Sequence, residues 1–122
     1  MSNKIVNPND KKYDLVERTA KFGQEVILFA KSLPDNTINR PLISQFIRNS
    51  TSIGANYMEA DCAESRKDFI HKIGICKKEA KEATHWSHMI SVANPDKIVE
   101  CRKLWQEAHE LTLIFSAIVN KR

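Results

Sequence analysis

The 122 residues suit one domain and are enough to bury a core of its own. With 42% apolar and 28% charged residues the chain has the composition of a folded soluble protein, which excludes a disordered or low-complexity one. A net charge of +4 is compatible with a polyanionic partner without identifying one, and no apolar run approaches the roughly 20 residues that span a bilayer, so no membrane is expected.

Residues 1–12 are polar, contain Asn7-Pro8-Asn9-Asp10 and have no apolar signal segment. They are expected as a disordered tail ahead of a single bundle domain over residues 13–122, in the cytoplasm. The first helix is predicted from Tyr13 to Ser32. Leu15, Thr19, Phe22, Val26, Phe29 and Leu33 form one seam, with Val16, Ala20, Gly23, Ile27 and Ala30 beside it, so a wide apolar face results. Leu33-Pro34-Asp35-Asn36 ends it, because proline cannot continue the hydrogen-bond ladder.

The second helix is predicted from Asn39 or Pro41 and fades between Ala60 and Ala63. Ile43, Phe46, Ser50, Ile53 and Tyr57 supply its seam. Gln45, Arg48, Ser52, Asn56 and Glu59 make a polar stripe to one side, and the small residues Ser52, Gly54 and Ala55 permit close helix approach. Ser65 is a natural N-cap for the third helix, with Asp68 three residues on. That helix runs to Ala93 with an unbroken seam of Phe69, Ile73, Cys76, Ala80, Ala83, Ser87 and Ile90. Opposite the seam lies a stripe of Lys67, His71, Gly74, Lys78, Lys81, His85 and His88. Asn94-Pro95-Asp96 breaks the chain again. The fourth helix, from about Asp96 to Asn120, carries a seam of Ile98, Cys101, Trp105, Ala108, Thr112, Phe115 and Val119. Four amphipathic helices with short connections predict an all-α, antiparallel up-down-up-down bundle.

The chemistry-bearing residues exclude more than they include. Cys62, Cys76 and Cys101 are odd in number, widely spaced and without a C-x-x-C pair, so zinc and redox motifs are not expected. Carboxylate-bridged metal bundles need Glu-x-x-His pairs on different helices. Here Glu82-x-x-His85 and the echo Asp68-x-x-His71 share one helix, so no metal is expected. Ser52 sits mid-helix rather than on a nucleophile elbow, and there is no glycine-rich phosphate loop. A non-enzymatic protein without cofactors is the expectation.

Two surfaces remain. Arg66, Lys67, Lys77, Lys78 and Lys81, with Lys72, outnumber Asp68 and Glu79 over one stretch of the third helix. Such a face neutralises phosphates without reading sequence, but by itself it is more often a solvated helix face. On the same helix Trp86 and Met89 need cover, either from a second copy of the chain or from a neighbouring helix. Glu79 and Glu82 are expected to pair with Arg48.

Two stretches resemble a known family. They are Gln45-Phe46-Ile47-Arg48 with Ser52-Ile53-Gly54-Ala55-Asn56 and Glu59-Ala60, and Ser65-Arg66-Lys67-Asp68-Phe69-Ile70 continuing to Lys78-Glu79-Ala80-Lys81-Glu82-Ala83. The pattern is similar to the bacterial four helix bundle proteins, which include the 23S rRNA intervening-sequence proteins. It departs from them at Ala60, where glycine is usual, and at Gly54, where proline or serine is usual. The resemblance implies a bundle that assembles into rings, typically homopentamers. Through similarity to the accessory variability protein of diversity-generating retroelements, it also implies structured RNA or a nucleic-acid enzyme as partner.

Overall fold

The computed structural model describes residues 14–121, so the expected tail and the expected first-helix start at Tyr13 lie outside the described residues. Four α-helices follow in order: α1 (Leu15–Lys31), α2 (Asn39–Asp61), α3 (Arg66–Ala93) and α4 (Ile98–Asn120). A single 3-10 turn, Pro95–Lys97, joins the last two. No strand occurs among the described residues, and no helix there is long and apolar enough to cross a membrane. The expected bundle is therefore the fold.

Local chemistry sets the helix ends. The Asp14 side chain accepts from the Glu17 amide at the start of α1. Asn36 accepts from the Ile38 and Asn39 amides at 3.1 and 2.7 Å, so α2 starts from a residue that side-chain geometry had already turned. Ser65 caps α3 by accepting from the Asp68 amide at 3.0 Å. Asn94 ends α3, and Pro95 in the next position excludes another helical turn.

The core is one cluster. Phe22, Phe46 and Phe115 are its largest members, and Ile53, Ile73, Ile90, Leu111 and Val26 complete it. Each buried phenylalanine contributes about 1.5–3 kcal/mol by leaving water. The seams expected for α1 and α3 are buried nearly throughout. Two expectations fail at the edges. Val16 and Ile27 remain 38% and 40% exposed, because α1 turns only its Leu15–Phe22–Val26–Phe29 ridge inward. Trp105 is 39% exposed, because a repeat of seven drifts on a helix of 3.6 residues per turn and leaves it on the flank of α4.

α3 packs broadly on both α2 and α4, and α1 packs on α2, whereas the α1–α4 seam is the thinnest of the four. The α1–α2 crossing is close because of glycine. The Gly54 Cα faces α1, where a side-chain Cβ would stand 3.4 Å from Thr19 Oγ1 and 3.6 Å from the Ala20 nitrogen. The thin seam is closed by a clasp. Arg18 grips both carboxylate oxygens of Glu107 at 2.8 and 2.9 Å and reaches Glu110 at 2.9 Å.

Candidate nucleic-acid interface

α3 sorts its charges by side. Its carboxylates Glu79 and Glu82 are turned to α2, where both accept from the Asn49 side chain, and Asp68 lies three helical turns before Glu79 on the same flank. α4 does the same in the other direction. Glu107 and Glu110 bind Arg18 of α1, and Glu100 lies two turns before Glu107 on that side. Every carboxylate carried by α3 and α4 is thus directed away from the groove between them.

α3 keeps its cations on the side turned from the core. Lys67, Lys78 and Lys81 are exposed, Lys77 is half-buried, and Arg66 is exposed in the first turn of α3. Among the described residues none of these five has a carboxylate within ion-pair distance; the ion pairs there involve Arg18, Arg40 and Lys72. Exposed Arg102 joins from α4. His71 and His85 lie on the outward side of α3, and His88 lies on its flank toward Arg102 and Trp105 of α4. A narrow cleft of about 280 Å³ lies at one end, lined by His71, Gly74, Lys78 and Val119. A second of about the same volume lies at the other, where α3 meets the start of α4. Trp105 stands in the wall of the second and stacks on His109, with ring centroids 4.9 Å apart and planes 15° apart.

Sequence periodicity places the lysines outward, and the structure agrees. What it misses is α4's contribution, since Arg102 and His109 are isolated in the sequence and Trp105 counts as seam. Only the α3–α4 register brings Arg102 and Trp105 beside His88 of α3.

Of the other predicted residues, Trp86 lies about 80° round α3 from Lys78, toward α2, and Met89 about 20° from it. Trp86 packs against the core while staying partly exposed, with His85 edge-on at 4.8 Å, and Met89 is half-buried. Of the polar stripe, Glu59 is tied to α3 by Lys72 at 2.6 Å. Gln45 accepts from Arg48 within α2, and Asn56 donates to the Ser52 carbonyl of its own helix. The expected pairing of Arg48 with Glu79 and Glu82 is corrected. Arg48 is turned outward, and the residue that meets both carboxylates is Asn49, fully buried one position along. A signal for this existed, because stepping from Gln45 by four and then three reaches Asn49 and Ser52 on the α3 side of the seam. The Asn49 Oδ1 has no hydrogen-bond partner among the described residues.

The thiols divide by burial. Cys76 and Cys101 are buried, and desolvation pushes them up to about 12 and about 11, so neither is a nucleophile at neutral pH. Cys62 is exposed. Among the described residues no three His, Cys, Asp or Glu side chains converge as a metal-ligand set.

As a class, the fold and this face define a small all-α four-helix bundle with a lysine-bearing outward face on α3. The chain belongs to the 23S rRNA-intervening sequence protein family, whose model matches residues 11–117. It is similar to a solved structure from Bacteroides thetaiotaomicron VPI-5482, described as a protein of unknown function from the S23 ribosomal protein family. The two share 27% identity over 85% of this chain and 96% of the other, with a TM-score of 0.74. No curated protein matches the chain.

Proposed function

We propose that the chain is a non-enzymatic, cytoplasmic RNA-binding protein that acts as a homo-oligomer, a ring of five copies, and engages structured RNA through the α3–α4 face. The observation that carries this reading is the charge sorting of α3 and α4: Lys67, Lys78 and Lys81 stand exposed on the outward side of α3, while Glu79 and Glu82 are engaged by α2 and Glu107 and Glu110 by α1. An α-helical face of this kind contacts phosphates and displaces counterions without reading base sequence. One copy at +4 binds a polyanion weakly, and repeating the face around a ring multiplies the effect. The family's name, 23S rRNA-intervening sequence protein, supports the choice of RNA.

The flank bearing Trp86, Met89 and the outward Arg48 is the surface on which copies meet. The chain covers only part of Trp86, and tryptophan and arginine are the residues that dominate such contacts. If no nucleic acid binds, this flank makes the protein a scaffold for protein partners, a nucleic-acid enzyme among them.

The test is RNA binding by the wild type and by Lys67→Glu/Lys78→Glu/Lys81→Glu at two salt concentrations, with light scattering on both. The wild type is expected to bind with a steep salt dependence and the triple variant to lose binding while keeping its assembly size. Failure of the wild type to bind at low salt overturns the RNA reading.

A further inference from the structure

The cleft at the start of α4 differs from the rest of the basic face by having an aromatic wall. Ser87, His88 and Ser91 of α3 line it with Ile98, Arg102 and Trp105 of α4, and no lining residue is acidic. Its floor is fixed, because the buried Ser87 hydroxyl donates to the Cys101 carbonyl at 2.7 Å and ties the two helices together there. His109 covers one face of the Trp105 indole. The cleft lies against the ring from the Ile98–Arg102 side and is not lined by His109. Trp105 is 39% exposed, stacked on by His109, and stands beside Arg102, which has no ion-pair partner among the described residues.

We propose that this cleft binds one unpaired nucleotide, its base stacked on Trp105 and its phosphate held by Arg102 and His88. This rests on the RNA reading above and adds to it: the lysines of α3 track the backbone of a folded RNA, and Trp105 takes a base from a loop or single-stranded end. Stacking on an aromatic ring accepts any base, so the site selects unpaired strands and not a sequence. The volume of about 280 Å³ is at the lower end of small-molecule pockets, which fits one nucleotide and not a helix. A paired duplex shields its base faces and cannot use the indole at all.

The experiment titrates the full chain, at low salt, into a dye-labelled single-stranded RNA oligonucleotide followed by fluorescence anisotropy. Saturable binding is expected. Trp105→Ala is expected to weaken single-strand binding by about tenfold, the size of one lost base stack. Trp105→Phe is expected to keep most of the affinity, and binding of a fully paired RNA duplex is expected to change less than twofold in either variant. A DNA strand of the same sequence is the second arm. Tryptophan-dependent binding of either strand supports the site, and the tighter of the two names its source. Unchanged single-strand binding in Trp105→Ala overturns this site while leaving the lysine face standing, as does an equal loss of single-strand and duplex binding. Absence of binding by the wild type overturns both.

Discussion

Asn39 and Asn94, 55 positions apart, exchange hydrogen bonds through both side-chain amides inside the protein. Asn39 Nδ2 donates to Asn94 Oδ1 at 3.1 Å and Asn94 Nδ2 donates back to Asn39 Oδ1 at 2.9 Å. The second donor of each amide goes to a main-chain carbonyl, Pro34 for Asn39 and Ile90 for Asn94. The pair is nearly inaccessible to water, at 1% and 6% exposure, and locks the first turn of α2 to the end of α3.

A buried polar pair costs little while satisfied and much when halved. Asn39→Ala and Asn94→Ala are each expected to destabilise the fold by about 1–3 kcal/mol, since each strands the partner's amide without water. Replacing both with leucine is expected to cost less than the sum of the single changes, because no orphaned group remains. Urea unfolding of the four proteins measures this, and strict additivity would show that the two amides do not act as a pair.

The Arg18 clasp predicts a specific response to acid. The Gln106 side chain first, and Arg18 after it, hold the Glu110 carboxyl below its usual range. A lowered folded-state value means stability that is present above the ordinary glutamate range near 4.3 and lost as pH falls through it and below. The wild type is therefore expected to melt above Glu110→Gln at pH 7, and the two curves to converge by about pH 3. Because Glu110 is largely solvated, the gap at pH 7 is a degree or two, about what an exposed ion pair gives. Arg18→Ala removes both carboxylate contacts at the thinnest seam and is expected to cost about 1–2 kcal/mol. Thermal melts across pH test both statements, and a gap that widens on acidification would contradict the first.

Gly74 sits in the middle of α3, on the side turned from the core, and a Cβ added there meets nothing within 4 Å. Its backbone is helical with negative φ, so the glycine confers no conformational benefit. Gly74→Ala is expected to stabilise the protein by about 0.5–1 kcal/mol by removing the entropic cost of glycine in a helix. A rise of a few degrees in Tm is the expected reading. A fall would mean that the position needs the open space for a neighbouring copy or a bound strand.

The four helices, their breaks at Pro34 and Pro95 and the Ser65 cap were legible in the chain, as were the seams of α1 and α3 and the outward lysines of α3. These follow from interactions within a few residues and from a 3.6-residue period. Which helix flanks which, and at what register, is set by side chains interlocking across the core, and local periodicity is blind to it. That is why Asn49 and not Arg48 meets Glu79 and Glu82, and why Asn39 finds Asn94. It is also why Trp105 leaves the seam to stand with Arg102 beside His88 of α3. The basic stripe belonged to the sequence; the cleft with an aromatic wall exists only because α3 and α4, consecutive in the chain, fold back and pack edge to edge.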